Sequence, residues 1–428
     1  MVRLVSLIVG AFLLGSGGFV RASESTEAVQ SATPTLTLRR AVELVLERNA
    51  TLRAFGAARE AERARGDAFS LAPRYRIVAE LENFAGTGEA GGVDSLESTL
   101  SLSGVVELGG KRRVRRDVAS VQLDVLDTEL QVRRLDLAAT VARRYVDLVR
   151  AEALVELRRD SAAIAARTLE TVRARVAAAR ASRADIAKAE IALAWARLDE
   201  QAAERLERTN RVALASLWGG ESPDFGTIRA ELFRLPTYEP FASLVTRTDQ
   251  NPDLALLASR VRLEEARARL ADAQRRTDVV WTAGIRRLEA QDDQAFVVGI
   301  ELPLGSAARA EPLRRESSAE RNRRQLEAEA RRMEVRATLY SAYEQLEQAR
   351  TELATLREQS TPLAEDALRI TEQGYERGRY SLLELSDAQT QLLAVRGQTI
   401  EAAADFHRTL IEIQQLTNQA VVETASGE

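Results

Sequence analysis

The chain has 428 residues, 45% of them apolar and 29% charged, with no cysteine, one histidine and a formal net charge of −4. That is enough apolar material for a sizeable core, while the near balance of 60 basic and 64 acidic residues describes solvated helix faces and excludes a nucleic-acid partner. Without cysteine there is neither a disulfide framework nor a lipid-bearing N-terminal Cys, and one histidine with no clustered ligand spacing leaves no metal site, no cofactor and no catalytic residue, so no enzyme is expected.

Residues 1–22 read as a secretory signal, with Arg3 as the positive start, Leu4 to Leu14 as the apolar stretch and Val20-Arg21-Ala22 as the cleavage motif. Gly15, Gly17 and Gly18 interrupt the run before the ~18 residues that spanning needs, so export is expected rather than anchoring. No later stretch is continuously apolar over that length. Any membrane attachment must come from β-strands.

The mature chain divides into two similar halves, 36–219 and 241–420, joined by 220–240 and followed by a tail, 421–428. The segment Ala41 to Leu52 recurs as Phe241 to Leu254, with Asn49 and Leu52 matching Asn251 and Leu254. Tyr145 and Leu148 match Tyr343 and Leu346 at an offset of 198, whereas Ser182, Asp185 and Ala189 match Ser381, Glu384 and Ala388 at 199; one indel separates the registers. Copies this long are no solenoid unit, so they read as a duplication with pseudo-twofold symmetry.

Each half reads as helix, two strands, very long helix, helix. Strands are expected at about 74–84 and 96–108, then at about 278–288 and 295–304, because Ile77, Ala79, Leu100, Leu102, Trp281, Ala283, Phe296 and Val298 alternate with polar residues. Two polar loops, Ala85 to Ser95 and Leu288 to Gln294, separate the members of each pair. A soluble half-buried sheet and a membrane-spanning one share this alternation; four strands cannot close a membrane barrel alone, since the smallest have ~8, so the second alternative requires oligomers.

From about Lys111 to Ala178 good helix formers run without proline, on the order of 100 Å of helix. Val114, Val118, Val121 and Val125 keep three-and-four spacing, and Leu123, Leu126 and Leu130 form a second stripe beside it, so neighbours are expected on both sides, as in the staves of a helical barrel. The last helix repeats the pattern from Leu385 to Leu416. Trp195 and Trp218 read as helix-interface residues, Trp281 as part of a lipid-facing girdle, and His407, beside Phe406, as a packing residue.

Two motifs carry a resemblance. Glu107-Leu108-Gly109-Gly110-Lys111-Arg112 and the second-half Leu302-Pro303-Leu304 are similar to the strand-to-helix turns of the TolC-like outer membrane factors, especially their heavy-metal and cation exporter (CzcC-like) branch. The stretch from Gly374-Tyr375 through Gly378, Arg379, Tyr380, Ser381, Glu384, Asp387 and Ala388 resembles the family signature at the periplasmic tip of the last helix pair.

The resemblance implies a mainly α fold with β: a long α-helical coiled-coil barrel plus a four-strand contribution to a trimeric transmembrane β-barrel. It implies an outer membrane homotrimer that meets a periplasmic adaptor (membrane fusion) protein at a tip formed by Gly378, Arg379, Tyr380, Ser381 and Ser182, with an inner membrane pump of the RND type beyond. Gly109, Gly110, Lys111 and Pro303 become the barrel-to-helix hinge. Glu384, Asp387 and Asp185 become an acidic channel constriction suited to cations; carboxylates that merely complement a helix dipole remain the alternative. Metal cations are favoured as cargo, with drug efflux, type I protein secretion and a soluble coiled-coil scaffold left as alternatives. In the first half, Lys188 falls where Asp387 would, and Arg180 lies near the usual glycine, which leaves that turn open in geometry and sign. The basic run Lys111, Arg112, Arg113, Arg115 and Arg116 reads either as a solvated first helical turn or as a contact with anionic headgroups.

Overall fold

Residues 35–421 are described in the structure, a computed structural model; the secretory reading of 1–22 and residues 422–428 of the tail lie outside them. Helix α1 (Leu38–Arg48) starts where the Thr37 side chain accepts from the Arg40 N–H. It ends at Asn49, whose side chain caps α2 (Ala50–Phe69) by accepting from the Thr51 and Leu52 N–H groups. The matching Asn251 caps α6 (Pro252–Gln274) through the Asp253 N–H. Each asparagine also ties its own half together: Asn49 Nδ2 donates to the Leu217 carbonyl at 2.8 Å and Asn251 Nδ2 to the Leu416 carbonyl at 3.0 Å.

The long rods are α3 (Lys111–Ala177), returning as α4 (Arg183–Ala215), and α7 (Ser306–Thr355) continued by α8 (Thr361–Glu376), returning as α9 (Leu382–Leu416). Short α5 (Phe241–Arg247) and the segment 220–240 lie beside the middle of these rods. As its two stripes require, α3 has a neighbour on each side: Asp127 pairs with Arg59 of α2 and Glu129 with Arg260 of α6, both at 2.8 Å. Between α7 and α8 the backbone makes a π-turn over Leu356–Ser360, with the Thr361 N–H bonded to the Leu356 carbonyl. A π-turn holds one extra residue in an otherwise continuous helix. It lies between the matches offset by 198 and those offset by 199, and so gives the indel its physical place.

Strands β1 (Arg76–Glu82), β2 (Glu97–Val106), β3 (Val279–Leu288) and β4 (Asp293–Glu301) form one antiparallel sheet in chain order, which leaves β1 and β4 as edges. The second hairpin is tighter than expected, since Leu288 pairs with Asp293 and Asp292 takes φ +53° in the turn. Register puts Ile77, Leu102, Ala283 and Val298 in one row and Ala79, Leu100, Ile285 and Phe296 in the next, so one face is apolar through these rows and turns polar only at the loop end, where Ser98, Arg287 and Gln294 line up with Leu81. That face is open: Phe296 is 88% and Val298 78% exposed. On the other face Arg286 bonds Thr99 Oγ1 at 2.9 Å, Glu97 at 2.8 Å and Glu82 at 3.2 Å, knitting β1, β2 and β3. At the helix end of the apolar face, Tyr75 and Trp281 meet edge-on at 6.2 Å over Gly104, where a Cβ would lie 2.8 Å from the Tyr75 ring.

The main core joins α1 to α3, α9 and the 220–240 segment; Tyr145, buried within it, donates from Oη to the carbonyl of Arg229 at 2.8 Å, and that oxygen lies 3.1 Å from the Leu36 carbonyl. Trp218 lies in this core, but Trp195 is 64% exposed. His407 lies with Nε2 2.9 Å from the Leu232 carbonyl, and burial holds its pKa below the usual value.

Candidate functional site: the strand-to-helix joint and the paired tip turns

The joint begins with two left-handed residues, Gly109 at φ +78° and Gly110 at +68°, the second being the N-cap of α3. Gly109 has no room for a side chain, because a Cβ would stand 2.7 Å from Arg276 Cγ. Lys111 follows, 8% exposed, with Nζ 2.7 Å from Asp278 Oδ1, an oxygen that also accepts the Leu108 N–H at 3.1 Å. Arg115 pairs with Glu107 through both carboxylate oxygens and reaches the Phe69 and Leu71 carbonyls, while Arg112 takes the Ser70 carbonyl. The expectation of a solvated basic turn is therefore corrected for Lys111, Arg112 and Arg115: they bind strand-end carboxylates and the open carbonyls at the end of α2. Only Arg113 and Arg116 of the run are exposed with no partner among the described residues. In the second half, Pro303 follows the end of β4, and Gly305, at φ +88°, caps α7 as Gly110 caps α3.

At the far end the two hairpin turns lie side by side. In the second, Gly378 takes φ +79°, its N–H bonds the Tyr375 carbonyl at 2.9 Å and the Arg379 N–H bonds the Gly374 carbonyl at 2.8 Å. These paired bonds close a helix C-terminus through a left-handed residue. The first turn repeats them: Ala179 N–H to Val176 carbonyl at 3.0 Å and Arg180 N–H to Arg175 carbonyl at 2.8 Å. The left-handed residue is Ala179, at φ +56°, so the glycine position lies one residue before Arg180, and the usual geometry is kept without a glycine. An alanine there costs roughly 1–2 kcal/mol relative to its right-handed state. Ala179→Gly is expected to stabilise this turn by about 1 kcal/mol, read as slower amide exchange at residues 176–181; faster exchange would refute the reading of strain.

Both return helices open with reciprocal caps. Ser381 Oγ accepts the Glu384 N–H, while Glu384 Oε2 accepts from the Ser381 N–H at 2.7 Å and Oγ at 2.8 Å; Ser182 and Asp185 do the same at 3.0 and 2.9 Å. These bonds to the ionised form, first of all that from the Ser backbone, hold both carboxyls below the usual range. Glu384 and Asp185 thus have a local structural task, whereas Asp387 is exposed with no hydrogen-bond or ion-pair partner among the described residues, and Lys188 is exposed at the matching first-half position. Arg379 and Arg180, at matching positions, are exposed too.

Arg175, which the sequence reading passed over, is what joins the turns. Its guanidinium lies 4.3 Å from the centroid of the buried Tyr375 ring, donates to the Tyr375 carbonyl through Nη1 and reaches the Arg180 carbonyl at 3.5 Å. Below it Leu169, Val172, Leu368, Leu385 and Leu392 form a shared core of the two hairpins. Matched at the tip offset, Arg175 stands where the second half has Gly374, a glycine against which the Tyr380 ring lies so closely that a Cβ would be 2.0 Å from Tyr380 Cδ2. That mismatch between the halves was the available signal.

Comparison with known proteins agrees with this arrangement. Residues 41–220 and 246–419 each match the model of the outer membrane efflux protein family. The cobalt-zinc-cadmium resistance protein CzcC of Cupriavidus metallidurans is 30% identical over 322 residues, 73% of this chain and 77% of the relative. The nickel-cobalt-cadmium resistance protein NccC of Alcaligenes xylosoxydans xylosoxydans is 26% identical over 237 residues, covering 54% and 51%. A membrane protein of Pseudomonas aeruginosa shares the fold at TM-score 0.76 and 19% identity, over 92% and 93% of the two chains. The chain belongs to the outer membrane efflux protein family, and is a TolC-like outer membrane channel protein with a periplasmic helical extension rather than an enzyme.

Proposed function

We propose that this protein is the exit duct of a tripartite pump that exports divalent heavy-metal cations, conducting passively what an inner membrane pump of the RND type and its periplasmic adaptor deliver. The observation that carries the reading is the sheet: an exposed apolar face and two unpaired edges on rods of helix that reach on the order of 100 Å. Such a sheet is stable in lipid only when copies of the chain complete the barrel. Three copies give twelve strands, and Leu326, Met333 and Tyr340, exposed at seven-residue spacing on α7, suit a helix of the next subunit.

The cation assignment is supported by the unpartnered Asp387 near the tip and by the metal-resistance names of both curated relatives. Glu384 and Asp185 add charge to that constriction while capping their helices. Gly378, Arg379, Tyr380, Ser381 and Ser182 form the surface offered to the adaptor, where Arg180 and Arg379 place one guanidinium on each turn. Deleting the gene is expected to lower tolerance to cobalt, zinc or cadmium salts, and an Asp387→Asn copy to restore it only in part. Unchanged tolerance to all three would count against metal cargo, and full rescue by Asp387→Asn against the acidic constriction.

A further inference from the structure

Next to the apolar face of the sheet the chain carries a band of unengaged guanidinium groups. Arg74 leads into β1, and Arg113 and Arg116 lie in the first two turns of α3; all three are exposed, with no hydrogen-bond or ion-pair partner among the described residues. Their level is fixed by the joint, because Arg112 and Arg115 hold the carbonyls of residues 69–71 against the same turns and so lay the link to β1 alongside them.

The direction of Arg113 and Arg116 follows from the neighbours of α3. Both flanks are taken by α2 and α6 of the same chain, so the remaining sides face the duct or the outside, never another subunit. Lys111 and Arg115 close one side against the joint; Arg113 and Arg116 lie on the opposite one. Followed along the helix at about 3.6 residues per turn, the side of Arg113 becomes that of Tyr145, which the segments around Leu36 and Arg229 cover. A covered side is the outer one, because the duct must stay open. At the same end of the sheet the chain presents Tyr75 and Trp281 and, after β4, Leu302 and the 89% exposed Leu304. Apolar and aromatic groups with cations at their margin fit the boundary between acyl chains and headgroups.

We propose that Arg74, Arg113 and Arg116 form a collar that binds the phosphates of anionic phospholipids in the periplasm-facing leaflet and sets the height of the barrel in the membrane. The proposal rests on the membrane placement of the sheet and not on the cargo, so either reading can fail without the other. The test is native mass spectrometry of the full-length protein released from nanodiscs of equimolar phosphatidylethanolamine and phosphatidylglycerol.

Wild type is expected to retain phosphatidylglycerol selectively, and less so as salt rises. Arg113→Gln with Arg116→Gln is expected to cut that preference by roughly tenfold, while Arg113→Lys with Arg116→Lys keeps it. Arg208→Gln, at an exposed and unpaired arginine on α4, serves as the control. Equal retention of the two lipids by wild type, or the same loss in the control, overturns the collar; should the glutamine pair fail to assemble, the wild-type preference and its salt dependence decide.

Discussion

Arg175→Ala is expected to unlock the periplasmic tip. In wild type this one side chain supplies a charge-assisted hydrogen bond to the Tyr375 carbonyl and a cation over the Tyr375 ring, and both join α3 to the end of α8. A bond of the first kind contributes about 1.5–3 kcal/mol and a partly desolvated cation–π contact about 0.5–2 kcal/mol. Even the lower sum exceeds the ~1.4 kcal/mol that corresponds to tenfold in an equilibrium, so the arrangement in which the two hairpin turns are joined loses at least that factor. The measurement is single-channel conductance in planar bilayers, together with entry into cells of a large hydrophilic antibiotic that the outer membrane excludes. Both should rise.

Arg175→Lys separates charge from shape. An ammonium keeps the charge but lacks the planar fork that bonds a carbonyl while stacking on a ring, so an intermediate conductance is expected. The Tyr375 hydroxyl is buried with no hydrogen-bond partner among the described residues, and that burial raises its pKa. An alanine variant that assembles normally and conducts like wild type would show that Arg175 does not hold the tip.

What the sequence disclosed and what it concealed divide along a physical line. Long-range periodicity survives in sequence because it must be repeated to work: the two stripes of α3, the alternation in all four strands and the helix predicted from Lys111 to Ala178, which ends at Ala177, were legible. Contacts made once are not repeated and leave no pattern. The three cations that engage the joint look like a solvated turn until the carbonyls at the end of α2 are placed beside them. Ala179 is concealed for a different reason, since nothing in an alanine announces a left-handed backbone. Glu384 was legible as an acid in the first turn of a helix, yet its bond to Ser381 depends on a rotamer that spacing alone cannot fix. Comparison of the two halves was the strongest instrument the sequence offered, and it fell short only where they differ, at Arg175 against Gly374.

The joint provides the second large effect. Lys111→Ala leaves Asp278 without its ammonium partner; breaking a buried pair from one side costs about 3–5 kcal/mol, and because the Asp278 side chain is 27% exposed the cost here falls at the lower end, about 3 kcal/mol. Against a typical stability of roughly 5–15 kcal/mol this is a large share, so markedly less heat-resistant oligomer should reach the outer membrane fraction. The cost comes from the stranded carboxylate rather than from the absence of attraction, and this makes a sharper prediction. Removing both charges, as Lys111→Met with Asp278→Leu, is expected to recover most of the oligomer, short by about 1 kcal/mol for the Leu108 N–H that loses its acceptor. If the double variant assembles no better than Lys111→Ala, the pair does more than neutralise itself, and the orientation of strand against helix at this corner must depend on the ionic contact.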